Sequence, residues 1–148
     1  MTFNSRLLSI HMALLALSLL FFSQSFAQTF DDKKYIIQRE DSLAQVSTPP
    51  PHHGEGSSVG YHFFKDVGDF KNVFKKRVLK PGSSMGYHQQ KEDEIYYVLS
   101  GVAEMKLNEK TYKVKSGDAI LTRTGSSHGI RNLSDREDLV LFIIYDKK

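Results

Sequence analysis

Cysteine is absent from the 148 residues. No disulfide can form, no thiolate can bind metal or attack a substrate, and no acylated cysteine can anchor the chain. Charge of one sign is scarce as well. The formal net charge is +3, and lysines sit among acids, as where Lys91 precedes Glu92 and Asp93. That interspersion describes a solvated surface and not a nucleic-acid face, so nucleic acid is not expected as a partner. No long stretch repeats its apolar residues with a helical period, and there is neither an internal repeat nor a low-complexity tail. Also missing are a glycine-rich phosphate loop, a nucleophile elbow and a zinc-protease helix. Ser126 and Ser127 beside His128 lack the placed acid that a triad needs.

One long apolar run is present, Ile10 to Phe22, preceded by Arg6 and followed by the small residues Ser25 and Ala27. This is the order of a secretory signal peptide, expected over residues 1–27 with cleavage after Ala27. The run is short for a membrane span of about 20 residues, and His11 interrupts it, so no stable membrane insertion is expected after cleavage. The mature chain then carries one positive charge fewer, and a periplasmic or secreted location follows. Without disulfides, an exported protein relies on its core, on oligomerisation or on bound metal.

Residues 28–59 are expected to be an N-terminal extension and a linker rich in proline and glycine, with Thr48 to Ser58 (TPPPHHGEGSS) as the linker proper. A short helix or an added strand near Gln28–Val46 stays open. His52 and His53 are expected to be solvated loop residues. From Gly60 onward the text changes. Tyr61–Phe64, Val73–Leu79, Ile95–Leu99, Val102–Leu107, Thr111–Val114, Ala119–Thr122 and Leu139–Tyr145 are aromatic or β-branched with polar residues interleaved. Turn pairs such as Pro81-Gly82, Ser100-Gly101 and Gly117-Asp118 separate them. Many short strands at this spacing predict one all-β barrel or sandwich over residues 60–148.

Chemistry gathers in two stretches. Pro81–Gly101 holds His88, Gln90 and Glu94. His88 and Gln90 are two apart, which on a strand puts them on one face. A hairpin-like return after the charged turn Lys91-Glu92-Asp93 would bring Glu94 beside His88. Gly117–Asn132 adds His128. Imidazole, amide oxygen and carboxylate are donors for a divalent first-row metal, and two histidines with one carboxylate leave positions open. If Glu94 points inward, so do Tyr96 and Val98, while Ile95, Tyr97 and Leu99 face away. Tyr96 is then a candidate proton donor.

These stretches resemble the paired motifs of the cupin superfamily, in particular small single-domain cupins of the conserved-barrel type. In the first motif a glycine leads to His-x-His, then a glutamate, then a glycine. Here Gly82, His88, Glu94 and Gly101 match, and Gln90 stands where the second histidine belongs. In the second motif Gly117, Gly125, His128 and Asn132 match, and Arg123 takes the place of a proline. The resemblance implies a jelly-roll β-barrel with metal inside one end, held by His88, Gln90, Glu94 and His128. The family includes dioxygenases, decarboxylases, isomerases, lyases and non-catalytic binding proteins, so fold alone does not settle function.

The amide of Gln90 is a harder, weaker donor than imidazole and favours Fe, Mn or Ni, with Zn as a further candidate. Arg123 and Asn132 are candidate substrate-binding residues, Arg123 as a carboxylate or phosphate clamp at the barrel mouth. The expected function is that of an exported metal-dependent enzyme acting on a small oxygen-rich molecule (an organic acid, a sugar or a phenolic). The alternatives are a barrel that binds or senses a small ligand without turnover, and a purely structural barrel. The apolar outward set Ile95, Tyr97 and Leu99 leads to the expectation of a homodimer.

Overall fold

A computed structural model describes residues 34–147. The signal-peptide expectation falls on residues outside these. The chain divides into two units, Met1–Ile37 and Gln38–Lys148, and the second contains every strand among the described residues. No described helix is long and apolar enough to cross a membrane.

Among the described residues, ten strands follow a single 3₁₀ turn at Glu40–Ser42. They are β1 (Ala44–Ser47), β2 (Ser58–Phe63), β3 (Asn72–Leu79), β4 (Ser84–Gln89), β5 (Glu94–Ser100), β6 (Val102–Leu107), β7 (Lys110–Lys115), β8 (Ala119–Thr122), β9 (Ser127–Asn132) and β10 (Leu139–Asp146). All pair antiparallel, in a six-stranded sheet ordered β1-β2-β3-β10-β5-β8 and a four-stranded sheet ordered β4-β9-β6-β7. Two sheets facing each other in this way make the expected jelly-roll barrel.

Alternation builds the core. Along β5 the odd set points out and the even set in: Tyr96 and Val98 are buried, whereas Ile95, Tyr97 and Leu99 are exposed. Leu139, Leu141 and Ile143 do the same on β10, meeting Met85, Met105 and Ile130 of the other sheet. Each such side chain taken fully out of water contributes roughly 1.5–3 kcal/mol. Gly101 closes the β5–β6 turn at φ 93°, where a Cβ would stand 3.0 Å from the Asp138 carbonyl oxygen. Both the positive φ and the close approach explain why that turn ends on glycine.

The segment expected to be a linker is a strap. β4 is an edge strand of the four-stranded sheet, and the chain before β2 covers that edge. The Gly86 N–H donates to the Pro51 carbonyl at 3.1 Å and the Ser84 N–H to the Glu55 carbonyl at 2.9 Å. In return the Glu55 and Ser57 N–H groups donate to the Ser84 and Ser83 hydroxyls, each at 3.0 Å. Glu55 also pairs with Arg131 of β9, and Pro50 is buried. The expected boundary at residues 59/60 therefore falls inside β2, and β1 before it pairs with β2. Irregular chain that satisfies an edge through its backbone leaves no period in its side chains, so composition alone could not tell it from a free linker.

Candidate metal centre

The centre lies between the sheets. His88 of β4 and His128 of β9 are directly opposed partners in the ladder, with ring centroids 4.6 Å apart. Glu94 opens β5 in the other sheet, so the chain crosses between sheets after Gln89. The hairpin return expected for this turn does not occur, but the crossing delivers the carboxylate to the same place. One donor atom from each of His88, Glu94 and His128 lies within 4.8 Å of the other two. His128 is 0% exposed and Glu94 5%.

Local partners orient the set. His88 Nδ1 is 2.9 Å from the Gly86 carbonyl, which accepts a hydrogen bond from the Nδ1–H tautomer and leaves Nε2 with the free lone pair. His128 Nε2 is 3.2 Å from Glu94 Oε2 and 3.0 Å from the Tyr96 hydroxyl. Glu94 Oε2 and His128 Nδ1 are buried without a hydrogen-bond partner. A buried carboxylate oxygen beside two imidazoles, with no donor of its own, has the electron-pair arrangement that a cation completes. The residues present thus fit a divalent metal, and His88, Glu94 and His128 would hold it. Gln90 is buried and lines the same cavity. Its N–H donates to the Ser126 carbonyl and its carbonyl accepts from Gly125, which fixes the backbone on which the amide stands.

The cavity beside this cluster is about 430 Å³. His52, Lys75, Arg77, Tyr96 and Tyr145 line it together with His88, Gln90 and Glu94. Burial is the main reason the Tyr96 hydroxyl holds its proton far above the ordinary phenol range. The negative charge of Glu94 acts the same way. Tyr96 is therefore a neutral donor at physiological pH.

Two other expectations do not hold. Arg123 is an exposed loop residue whose Nε bonds Asp93 at 2.7 Å, and it does not line the cavity. Without the proline of the family motif, the loop is closed by this ion pair and by the Asp93–Thr124 hydrogen bonds. Asn132 is buried, but its Nδ2 donates to the carbonyls of Leu79, Lys80 and Glu137 and its Oδ1 accepts from the Ser134 N–H. Its Nδ2 is thus committed to the backbone, and Asn132 does not line the cavity. Instead it ties the end of β9 to the β3–β4 turn and to the approach to β10.

His52, expected to be a solvated loop residue, is exposed and also lines the cavity. Its ring stacks on His88 with centroids 3.4 Å apart and planes 7° apart. Burial first, and then the neighbouring His88, pull its pKa down to about 4. His52 and His53 both have positive φ, 60° and 59°, an unfavourable conformation for residues with a Cβ. The only sequence signal for this placement was the glycines: a Cβ on Gly86 would stand 1.7 Å from the His52 carbonyl oxygen. Lys75 and Arg77 were also missed. They are two apart on β3, and cations at inward positions of a central strand were the available clue.

Comparison with known proteins agrees with this geometry. Residues 76–145 match the Cupin domain family. The oxalate-binding protein of Thermotoga maritima is 40% identical over 75 residues, covering 49% of this chain and 62% of that protein. The chain thus matches less than two thirds of that relative's length. A crystal structure described as a predicted oxalate decarboxylase from Thermotoga maritima superposes with a TM-score of 0.67 at 27% identity, over 76% of this chain and all of that one. A polyketide cyclase from Streptomyces resistomycificus shares the fold at 15% identity, with a TM-score of 0.66 over 77% of this chain and 80% of its own. So does a cupin 2 conserved barrel protein from Salinispora arenicola at 19% identity, with a TM-score of 0.60 over 75% and 87%. By the family match and the paired motifs, residues 76–145 are a cupin domain of the conserved-barrel type, set in a two-sheet barrel with the cupin fold.

Proposed function

We propose that this cupin is a metal-dependent enzyme of the cell envelope that acts on a small organic acid. The observation that carries the reading is the cluster of half-buried His88 with buried Glu94 and His128, with an unpartnered carboxylate oxygen, beside a cavity of about 430 Å³. An organic acid is favoured over a sugar or a phenolic because one relative is named for oxalate binding and a similar structure is described as an oxalate decarboxylase. Cationic residues in the cavity wall support the same choice.

His88, Gln90, Glu94 and His128 would hold the metal, with Fe, Mn or Ni favoured by the amide oxygen and Zn a further candidate. A divalent ion in such a site acts as a Lewis acid on a carboxylate or carbonyl oxygen. Tyr96 is the proposed catalytic side chain: a neutral phenol beside the cluster, able to give a hydrogen bond to a developing negative oxygen. Met85 and Ile143 supply apolar wall in the same cavity.

The test is reconstitution with each of the four metals, followed by incubation with oxalate and other short acids and product detection by NMR. Turnover that needs metal and disappears in His128→Ala supports the reading. Saturable binding without product would instead make this a binding barrel. The leader-like N-terminus supports a periplasmic or secreted location, checked by fractionating cells that express the full chain. The exposed apolar face of β5 and β8, with Ile95, Tyr97, Leu99 and Leu121, supports a homodimer. Light scattering on the mature protein checks it, with a mass of two chains expected.

A further inference from the structure

The metal cluster leaves Arg77 without a role. Arg77 lies in β3, which is paired on both sides by β2 and β10, and it is only 6% exposed. Its Nη1 donates to the Ser58 hydroxyl at 3.2 Å. Gly60 leaves room for the guanidinium, since a Cβ there would stand 2.8 Å from Nη1. Nε is buried with no hydrogen-bond partner. No ion pair joins Arg77 to a carboxylate among the described residues, and burial disfavours its charged form.

A guanidinium stays protonated in proteins. Leaving one buried without a counter-charge is strongly unfavourable. Lys75, two residues earlier on the same face of β3, lines the same cavity, and its amine is held by the Tyr145 hydroxyl at 2.5 Å. Two cations therefore stand in the wall, while Glu94 belongs to the metal cluster. With Nη1 occupied by Ser58, the free edge of the guanidinium fork begins at Nε, a geometry suited to donating two parallel hydrogen bonds to one carboxylate.

We propose that Arg77, with Lys75 beside it, forms an anion subsite in the wall of the metal cavity, and that the ligand is a small acid with a second carboxylate besides the group presented to the metal. This rests on the reading of the cavity as a metal-dependent organic-acid site and makes it more specific. Arg77 acts here as a specificity-determining residue: it selects diacids over monoacids of equal length and takes no part in holding the metal.

The experiment titrates metal-loaded wild type, Arg77→Gln and Arg77→Lys by calorimetry with malonate and succinate, and with propionate and butyrate as their single-carboxylate counterparts. Metal content and circular dichroism are measured on the same samples. Wild type is expected to prefer the diacids. Arg77→Gln keeps its metal and loses roughly 10- to 100-fold in diacid affinity, with monoacid affinity unchanged. Arg77→Lys recovers part of the loss. Equal diacid affinity in wild type and Arg77→Gln, or no diacid preference in wild type, overturns the subsite.

If Arg77→Gln does not fold, Arg77→Lys decides alone: it keeps the charge but not the fork, and undiminished diacid affinity counts against the proposal. If wild type holds no metal, the same titration on metal-free protein separates the two readings. Diacid selectivity that Arg77→Gln abolishes then keeps the subsite while the metal reading fails, and its absence removes both.

Discussion

Tyr96 and His62 show how single groups can be tested without disturbing the barrel. The Tyr96 hydroxyl bonds His128 Nε2, which also faces Glu94 and so is the nitrogen placed to ligate. A metal at that nitrogen would free the phenol to turn toward Glu94 or a ligand. Tyr96→Phe is therefore expected to leave metal affinity within about threefold and to lower turnover roughly 10²-fold, as steady-state kinetics on metal-loaded protein would show. A loss of metal instead would mean that the phenol serves to orient the histidine. His62 gives a pH prediction away from the ligands. Its pKa is pulled down to about 4, first by burial and then by Lys75, Arg77 and Lys65. The folded state thus binds fewer protons than the unfolded chain between the ordinary value of 6.5 and about 4. The stability tied to neutral His62 is complete above 6.5 and declines as pH falls through that window. Urea midpoints should drop across it in wild type and drop less in His62→Gln; parallel pH profiles would contradict this.

Among the elements, the strap and its edge strand carry the sharpest consequence. Gly86 has no room for a side chain, because the His52 carbonyl lies 1.7 Å from where a Cβ would be. Gly86→Ala should push residues 51–53 off β4 and lower stability by about 2–4 kcal/mol. Hydrogen exchange at the Gly86 and Ser84 amides should speed up before that of β5. Unchanged protection there would show that the strap is not held as described. The strap is also where sequence reasoning was weakest. Strands with alternating burial, such as β5 and β10, were legible because each inward residue must be apolar and its neighbours need not be. The His88, Glu94 and His128 cluster was legible because its donors fall at fixed places relative to turn glycines. His52 was not, because it arrives on backbone hydrogen bonds that constrain no side-chain type. Arg77 was hidden for a related reason: it ends the basic run Lys75-Lys76-Arg77, and such a run reads as solvated surface until the strand is seen to be paired on both sides. Asn132 misled in the opposite direction, since matching a motif position does not distinguish a ligand contact from an amide that ties neighbouring backbone segments together.

For the molecule as a whole, the barrel joins two sheets through the cluster. His88 and His128 come from the four-stranded sheet and Glu94 from the six-stranded one. A cation shared among them would cross-link the sheets, which matters in a chain with no cysteine to do so. The wall opposite in chemistry, with Lys75 and Arg77, comes entirely from β3 of the larger sheet, so metal and anion sites are set by different elements and can be separated by mutation. The central claim, that this cluster holds a divalent metal, is tested most directly by elemental mass spectrometry of the untagged mature protein purified from its native compartment, beside His88→Ala and His128→Ala. About one metal ion per chain is predicted for the parent, with loss in both variants. A parent without metal, taking none up on addition, or variants that keep the parent's full content, would contradict it.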